Sequence, residues 1–566
     1  MSGTSRGLPE DIDEWTTLAL KRRVISDRHQ DRSTVVFDGR RGWVVDWNGW
    51  RRELEGDETR SEVDMALVHG FPSISPLAGP ATMGGTDAAI GSVIVKFSPP
   101  AGNPLTYYLD PKTYLPVRVE LTGGVSIAFS DWREVDGVKM PFGEQRKDAK
   151  ETVDYRVTAI QSHLGENSFF QRPDPGPTDA VFLKGNGSVT VPFNFENNHL
   201  MIQTSVNGRA PLWFMIDTGA AFTVISEERL AEYGLQPYGG LKTEGGGNKV
   251  TGAYAAGVTC RVGELEVRNQ HAAVLALHGL ERVYGMPMGG ILGYDFISRF
   301  ILDVDYGSHT VTFHPLSYRY RGNGAVIPFS LSDNTPYVDG SITVRGQAIP
   351  AHFILDVGAA DTATLTSPFV DRNDLVALAG DPRQQPRTLA GSEKEFFAPN
   401  TIRGLLDEIR LGPVVLSHVY VNLSRGKSGA YASDAFTGTI GQTILQRYHN
   451  ILDYSRRRLY LEPGPEATVP FTERRSFGVT LLADGPDLKI FTVTAVGATS
   501  PASRAGLKKD DVISGVDGIS PAELTLGKLR ELLTQDGRQL VLRVHRDNAD
   551  IALPVTVERI PISGLN

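Results

Sequence analysis

Short apolar runs broken by turn residues dominate the chain, and one of them raises a chemical question. Residues 213–226, WFMIDTGAAFTVIS, stay apolar for four positions, deliver one aspartate into a Thr-Gly turn, and return to apolar residues. The run before Asp217 has the length and composition of a strand, and the glycine suits a tight reversal. A carboxylate beside hydrophobic neighbours is costly unless it is hydrogen-bonded or chemically employed. A surface hairpin with Asp217 at its tip would carry the same pattern, so the tetrapeptide alone decides nothing.

The pattern returns further along. FMIDTGAAF at 214–222 is echoed by FILDVGAAD at 353–361, which places Asp217 and Asp356 139 residues apart. GGILGYDFISRFILDVDY at 289–306 is echoed by GTIGQTILQRYHNILDY at 438–454. The spacing holds, with seven residues from Gly293 to Phe300 and from Gly441 to Tyr448, then five to Asp305 and to Asp453. The lead-ins agree as well, VNGRAPLWFMID against VRGQAIPAHFILD. Three matches in one order mean two copies of one domain. Each copy reads as strands, an Asp loop, a hairpin, more strands, and an Ile-Leu-Gly or Thr-Ile-Gly before a short helix. In the first copy the hairpin is LKTEGGGNKVTGAYA at 241–255, whose Gly245, Gly246 and Gly247 permit the positive φ angles of a mobile tip.

On either side the pattern changes. DGRRGWVVDWNGWRRELEGDE and YYLDPKTYLPVRVEL, with FSDWREVDGVKMPF after it, read as alternating strands with turns between them. Trp43, Trp47, Trp50 and Trp132 in this region read as core. QRPDPGPTDA at 171–180 is a proline-rich linker. FGVTLL at 477–482 precedes FTVTAVGATSPASRAGLKKDDVISGVDGISPAEL at 491–524.

Composition adds bounds. At 566 residues the chain is too long for one core, and roughly three to five domains are expected. With 40% hydrophobic and 22% charged residues it is an ordinary globular composition, and 60 glycines with 34 prolines favour strands and turns. A formal charge of −9 without a basic block interleaved with aromatics argues against nucleic acid as a partner. The single cysteine, Cys260, excludes an intrachain disulfide and a cysteine-based metal site, and reads as a small buried residue. No run approaches the roughly 18 apolar residues of a membrane-spanning helix, and MSGTSRGLPEDIDEW lacks the apolar stretch of a signal peptide. HExxH, GxSxG and P-loop motifs are missing, the histidines are scattered, and no cofactor or metal is expected. Asp303, Asp305 and Asp453 read as structural, and Asp361 receives no role.

The paired Asp motifs, followed by Ile-Leu-Gly in the first copy and Thr-Ile-Gly in the second, resemble the bacterial retropepsin-like and pepsin-like aspartic peptidases over roughly residues 185–462. The resemblance implies two lobes that each contribute one aspartate, Asp217 and Asp356, to a shared catalytic dyad. It implies supporting roles for Thr218, Gly219 and Gly358, and makes Gly245, Gly246 and Gly247 the tip of a flap over the substrate. Lobe 2 departs from the family where Val357 stands in place of Thr or Ser. The C-terminal segment resembles a PDZ domain of the bacterial protease type, which implies that Gly478, Val479, Thr480 and Leu481 receive a peptide carboxylate beside an open sheet edge. The N-terminal region resembles LolA-like lipoprotein-sorting domains, curved sheets around an apolar cavity.

The expected fold is therefore mainly β: a duplicated two-lobed aspartic-protease fold flanked by an N-terminal curved-sheet domain and a C-terminal PDZ domain. Expected boundaries are 1–172 for the N-terminal domain, 173–318 and 319–465 for the lobes, and 466–566 for the PDZ domain. The expected function is endopeptidase, acting on a peptide or protein substrate with peptide C-termini engaged at the PDZ domain. The alternative is a degenerate protease fold that binds extended peptides without cutting them, as Val357 suggests. The cell envelope or periplasm is the expected location, with the cytoplasm as the alternative.

Overall fold

The structure is a computed structural model, and it describes residues 1–5, 8–17, 19–28, 31–70, 76–148, 151–161, 167–174, 179–185, 187–244, 249–381, 400–472 and 475–561. The chain divides into two compact units, one of residues 1–179 with 238–242 and one of residues 180–237 with 243–566.

In the first unit thirteen strands form one antiparallel sheet. Neighbours in the sheet are neighbours in sequence except at one seam, where Ser2–Ser5 pairs with Thr152–Arg156. The expected alternation is visible in Leu8–Thr16, which buries Glu10 and Ile12 and exposes Pro9, Asp11 and Asp13. The helix Gly56–His69 buries Val63, Ala66 and Leu67, which pack with Leu20, Phe37, Leu105 and Val119. Asp64 is buried on the same helix and is satisfied by the Asn103 amide at 2.8 Å and its side-chain amide at 2.7 Å.

The helix also joins a buried charge network through Glu62 and His69. Glu14 receives Arg22 Nε and His69 Nδ1, each at 2.7 Å, while Arg22 reaches Glu62 at 2.6 Å and His69 reaches Glu144 at 3.3 Å. Burial disfavours the charged imidazole, but Glu14 and Glu144 outweigh it and raise the His69 pKa to about 9. Only Trp43 among the four tryptophans is fully core, at 4% exposed; Trp47, Trp50 and Trp132 are half-buried, which corrects the expectation for those three.

The second unit opens with two barrels of the same design. In the first, the strands His199–Val206, Leu212–Ile216, Met288–Leu292, Val224–Ser226 and Leu265–Leu275 pair in that order. Lys249–Val262 closes the ring by pairing with both ends of this series. In the second, the order is Thr335–Val344, Gln347–Leu355, Gly438–Ile440, Ala363–Leu365 and Val414–Ser424, closed by Thr401–Leu411. The inferred duplication is thus a duplication of topology, strand for strand. Each Asp-bearing strand runs parallel to its Gly-bearing strand, so both loops leave from the same end of the barrel.

A six-stranded sheet joins the lobes, with Ile301–Asp305 of lobe 1 paired antiparallel to Tyr448–Asp453 of lobe 2. These are the two ends of the second sequence echo. Asp303 lies on this seam and holds His314 at 3.1 Å and His449 at 2.5 Å, a structural role as expected. A continuous apolar core runs through both lobes. The last segment forms a five-stranded sheet with its own core, built on Phe491, Ile513, Leu526, Leu529 and Leu542.

Candidate active site

The two Asp loops are built by matched contacts. The Asp217 amide donates to Leu292 O at 3.1 Å, and the Asp356 amide to Ile440 O at 3.0 Å. Tyr294 N reaches Ala220 O at 2.9 Å, and Gln442 N reaches Ala359 O at 2.7 Å. Glycine is required at the crossing point in both lobes. A Cβ on Gly293 would lie 2.2 Å from Phe222 O, and one on Gly441 would lie 2.3 Å from Asp361 O. This close approach is the physical reason for the glycine of the Ile-Leu-Gly and Thr-Ile-Gly elements of the repeat.

The loops then meet. A Cβ on Gly358 would stand 2.3 Å from Asp217 Cγ, and one on Gly219 would stand 2.9 Å from Asp356 Cγ. Each glycine therefore makes room for the other lobe's carboxyl. The two carboxyls are buried side by side, close enough for the charge of Asp217 to act on Asp356. Asp217 Oδ1 also accepts the Gly219 amide at 2.8 Å and the Ala220 amide at 3.2 Å. Asp356 Oδ1 accepts the Gly358 amide at 2.8 Å. Burial raises both pKa values, and the neighbouring Asp217 charge pushes Asp356 further, well above the carboxylate range.

Beneath the dyad the two lobes are tied asymmetrically. Thr218 is fully buried; its hydroxyl donates to Leu355 O at 2.7 Å and accepts the Val357 amide at 3.0 Å. Val357, also buried, has no hydroxyl to return the contact. Gln442 Nε2 instead supports its carbonyl at 2.8 Å, and Tyr306 OH holds Gln442 Oε1 at 2.6 Å.

Further side chains surround the pair. His199 lies 5.0 Å from the Tyr284 ring and bonds Asn197 O at 2.9 Å, and its neighbour Asn198 donates its side-chain amide to Ala360 O of the second Asp loop at 3.1 Å. Burial lowers its pKa to about 4, so it is neutral. Tyr284 is 2% exposed and senses the Asp217 charge. Tyr431, near Asp356, exchanges a hydrogen bond with Thr439 at 3.1 Å. Asp295 takes the Thr223 amide at 2.6 Å and its hydroxyl at 2.5 Å, bracing the first Asp loop. Asp295 and Gln442 stood inside the quoted repeat as a signal; His199, Tyr284 and Tyr431 lay outside it.

The remaining expected residues fall elsewhere. Gly245, Gly246 and Gly247 lie outside the described residues, so the flap expectation is not carried further. Cys260 is buried, and burial pushes its thiol up to about 12, in keeping with a packing role. Gly478 has φ +87°, and its amide donates to Ser476 Oγ at 2.9 Å. Val479, Thr480 and Leu481 follow on the strand Val479–Asp484, which is an edge of its sheet. Among the described residues no His, Cys, Asp or Glu group has the arrangement of a metal site, and no helix is long and apolar enough to cross a membrane.

Two segments of the chain match known families. Residues 202–296 match the aspartyl protease family, and residues 492–546 match the PDZ domain family. The chain therefore carries an aspartyl protease-family segment and a PDZ-family segment. Among solved structures it is similar to the aspartic proteinase from Irpex lacteus, at 13% identity and a TM-score of 0.33, over 50% of this chain and 99% of that chain. No curated protein matches it.

Proposed function

We propose that the chain is an aspartic endopeptidase with Asp217 and Asp356 as its dyad and a PDZ domain that engages peptide C-termini. The observation that carries this reading is that duplicated loops bury two carboxyls together, each against the glycine that follows the other lobe's aspartate. Two carboxyls this close do not both ionise, so one proton is shared. Asp217, whose Oδ1 accepts two backbone amides, is the member better able to carry the charge. It acts as general base on a water lying between the carboxyls. Asp356, protonated, donates to the scissile carbonyl oxygen and stabilises the charge that develops there. The water oxygen bonds to the carbonyl carbon, a tetrahedral diol forms, and the C–N bond breaks as the nitrogen takes a proton from the dyad. No covalent enzyme intermediate is needed.

One observation favours a second reading. Val357 leaves lobe 2 without the hydroxyl that Thr218 supplies to lobe 1, which fits a protein that binds extended peptides without cutting them. Incubation of an unstructured protein in H2¹⁸O, followed by mass spectrometry of the fragments, separates the two. Endopeptidase action yields internal cuts with one ¹⁸O in each new carboxylate. Intact substrate from acid to neutral pH, with the substrate still bound, supports the binding protein.

A further inference from the structure

The PDZ groove has two walls, the free edge of the Val479–Asp484 strand and the helix Leu526–Leu532. It is not open along its length. Arg530, on the helix, donates Nη2 to Leu481 O at 2.9 Å, so it crosses the groove and occupies a strand carbonyl on the open edge. The same guanidinium donates Nη1 to Val283 O at 2.6 Å. Val283 belongs to lobe 1, on the helix His278–Tyr284. That helix touches both walls: Arg282 pairs with Asp484 at 2.6 Å, and a Cβ on Gly285, its C-cap, would lie 2.5 Å from Leu526 Cβ. Lobe 1 thus stands where an incoming peptide would extend.

The geometry of strand addition makes this a conflict. The Gly478 loop precedes the strand, so a peptide whose carboxylate sits at that loop runs antiparallel to Val479–Asp484. At about 3.4 Å per residue it passes Leu481 within its last three or so residues and then meets Arg530 and the lobe 1 helix. We propose that PDZ docking on lobe 1 and binding of a peptide C-terminus are mutually exclusive, so that peptide binding releases the His278–Tyr284 helix and slows the dyad. The proposal rests on the reading of this groove as a C-terminal peptide site.

The link to the dyad is short. Tyr284 ends the released helix and packs on His199, whose neighbour Asn198 donates its side-chain amide to Ala360 O of the lobe 2 Asp loop at 3.1 Å. Freeing the helix withdraws a buttress from the lobe 2 Asp loop and lowers kcat more than it alters KM. Every cut by an endopeptidase creates a new free C-terminal carboxylate, so the ligand class is that of its own products: fragments with a free carboxylate in extended form.

The test uses the full chain. Arg282→Glu sets two carboxylates against each other at the docking contact, and Arg282→Ala removes the Asp484 pair without adding a like charge; Arg282 belongs to lobe 1 and is not part of the dyad. A six-residue peptide with an apolar free-acid terminus, and its amide, are titrated by calorimetry into wild type and both variants. Removing the internal competitor raises apparent affinity for the acid, about fivefold for Arg282→Glu and less for Arg282→Ala. In wild type, saturating acid peptide speeds hydrogen exchange over residues 278–284, and the amide does not. Both readouts are independent of hydrolysis, so an inert dyad leaves them unchanged. Equal affinity for folded wild type and both variants, or unaltered exchange at saturation, overturns the proposal while peptide capture stands. Failure of all three proteins to prefer acid over amide overturns both.

Discussion

Thr218→Val tests whether the interlobe hydroxyl holds the two Asp loops together. The substitution keeps volume and shape and removes one oxygen that makes two buried contacts, to Leu355 O at 2.7 Å and from the Val357 amide at 3.0 Å. Each lost hydrogen bond is worth about 1 kcal/mol, and a buried partner left unpaired costs about 1–3 kcal/mol. The valine leaves both a carbonyl and an amide behind, so the expected loss is about 2–6 kcal/mol. Part of it appears as stability of the two-lobed unit and part as loosened dyad geometry, where about 1.4 kcal/mol at the transition state is tenfold in rate. Urea unfolding, followed by intrinsic fluorescence alongside kcat on a peptide substrate, reads both. A variant within about 0.5 kcal/mol of wild type and equally active would refute the reasoning, because buried groups orphaned in this way do not go unnoticed.

Three further outcomes follow from the same contacts. Val357→Thr restores a hydroxyl to lobe 2 at nearly constant volume; kcat rises up to about fivefold, the worth of about 1 kcal/mol, with KM little changed in steady-state assays. Asp356→Asn raises thermal stability at neutral pH and not in acid. The folded pKa of Asp356 lies above its unfolded value, so wild type is penalised as pH rises through it, and melting curves from pH 3 to 7 should diverge upward for the variant. In the first unit, His69 has its folded pKa raised to about 9, so its contribution is full below about 6.5 and lost as pH rises through 9. His69→Gln should flatten that alkaline decline in urea midpoints, and an unchanged slope counts against the Glu14–His69–Glu144 network.

What could be read from the chain was whatever the repeat carried locally. Asp217, Asp356, Gly293 and Gly441 are fixed by backbone crossings, and such crossings leave glycine and spacing as marks in the sequence. The short helices after Gly293 and Gly441 lie where the repeat placed them. His199, Tyr284 and Tyr431 were not legible, because their nearness to the dyad arises from packing between distant strands. Trp47, Trp50 and Trp132 lie on strand or turn positions where alternation alone does not separate full from partial burial. The charge network around Glu14 also had no sequence signal, since its members are up to 132 residues apart, from Glu14 to Arg146. Arg530 carried no signal in the sequence, since only the tertiary fold puts it across the groove.

The measurement that bears most directly on the central claim is peptide hydrolysis by Asp217→Asn and Asp356→Asn, each alone. Wild type, the two single variants and the double variant are assayed on one quenched peptide library from pH 3 to 7, with folding confirmed by melting. A shared dyad predicts cleavage by wild type, with activity falling as pH rises and the shared proton is lost. It further predicts that either single variant is as inert as the double, because base and proton donor act as one unit. Near-normal turnover by either single variant would contradict the account.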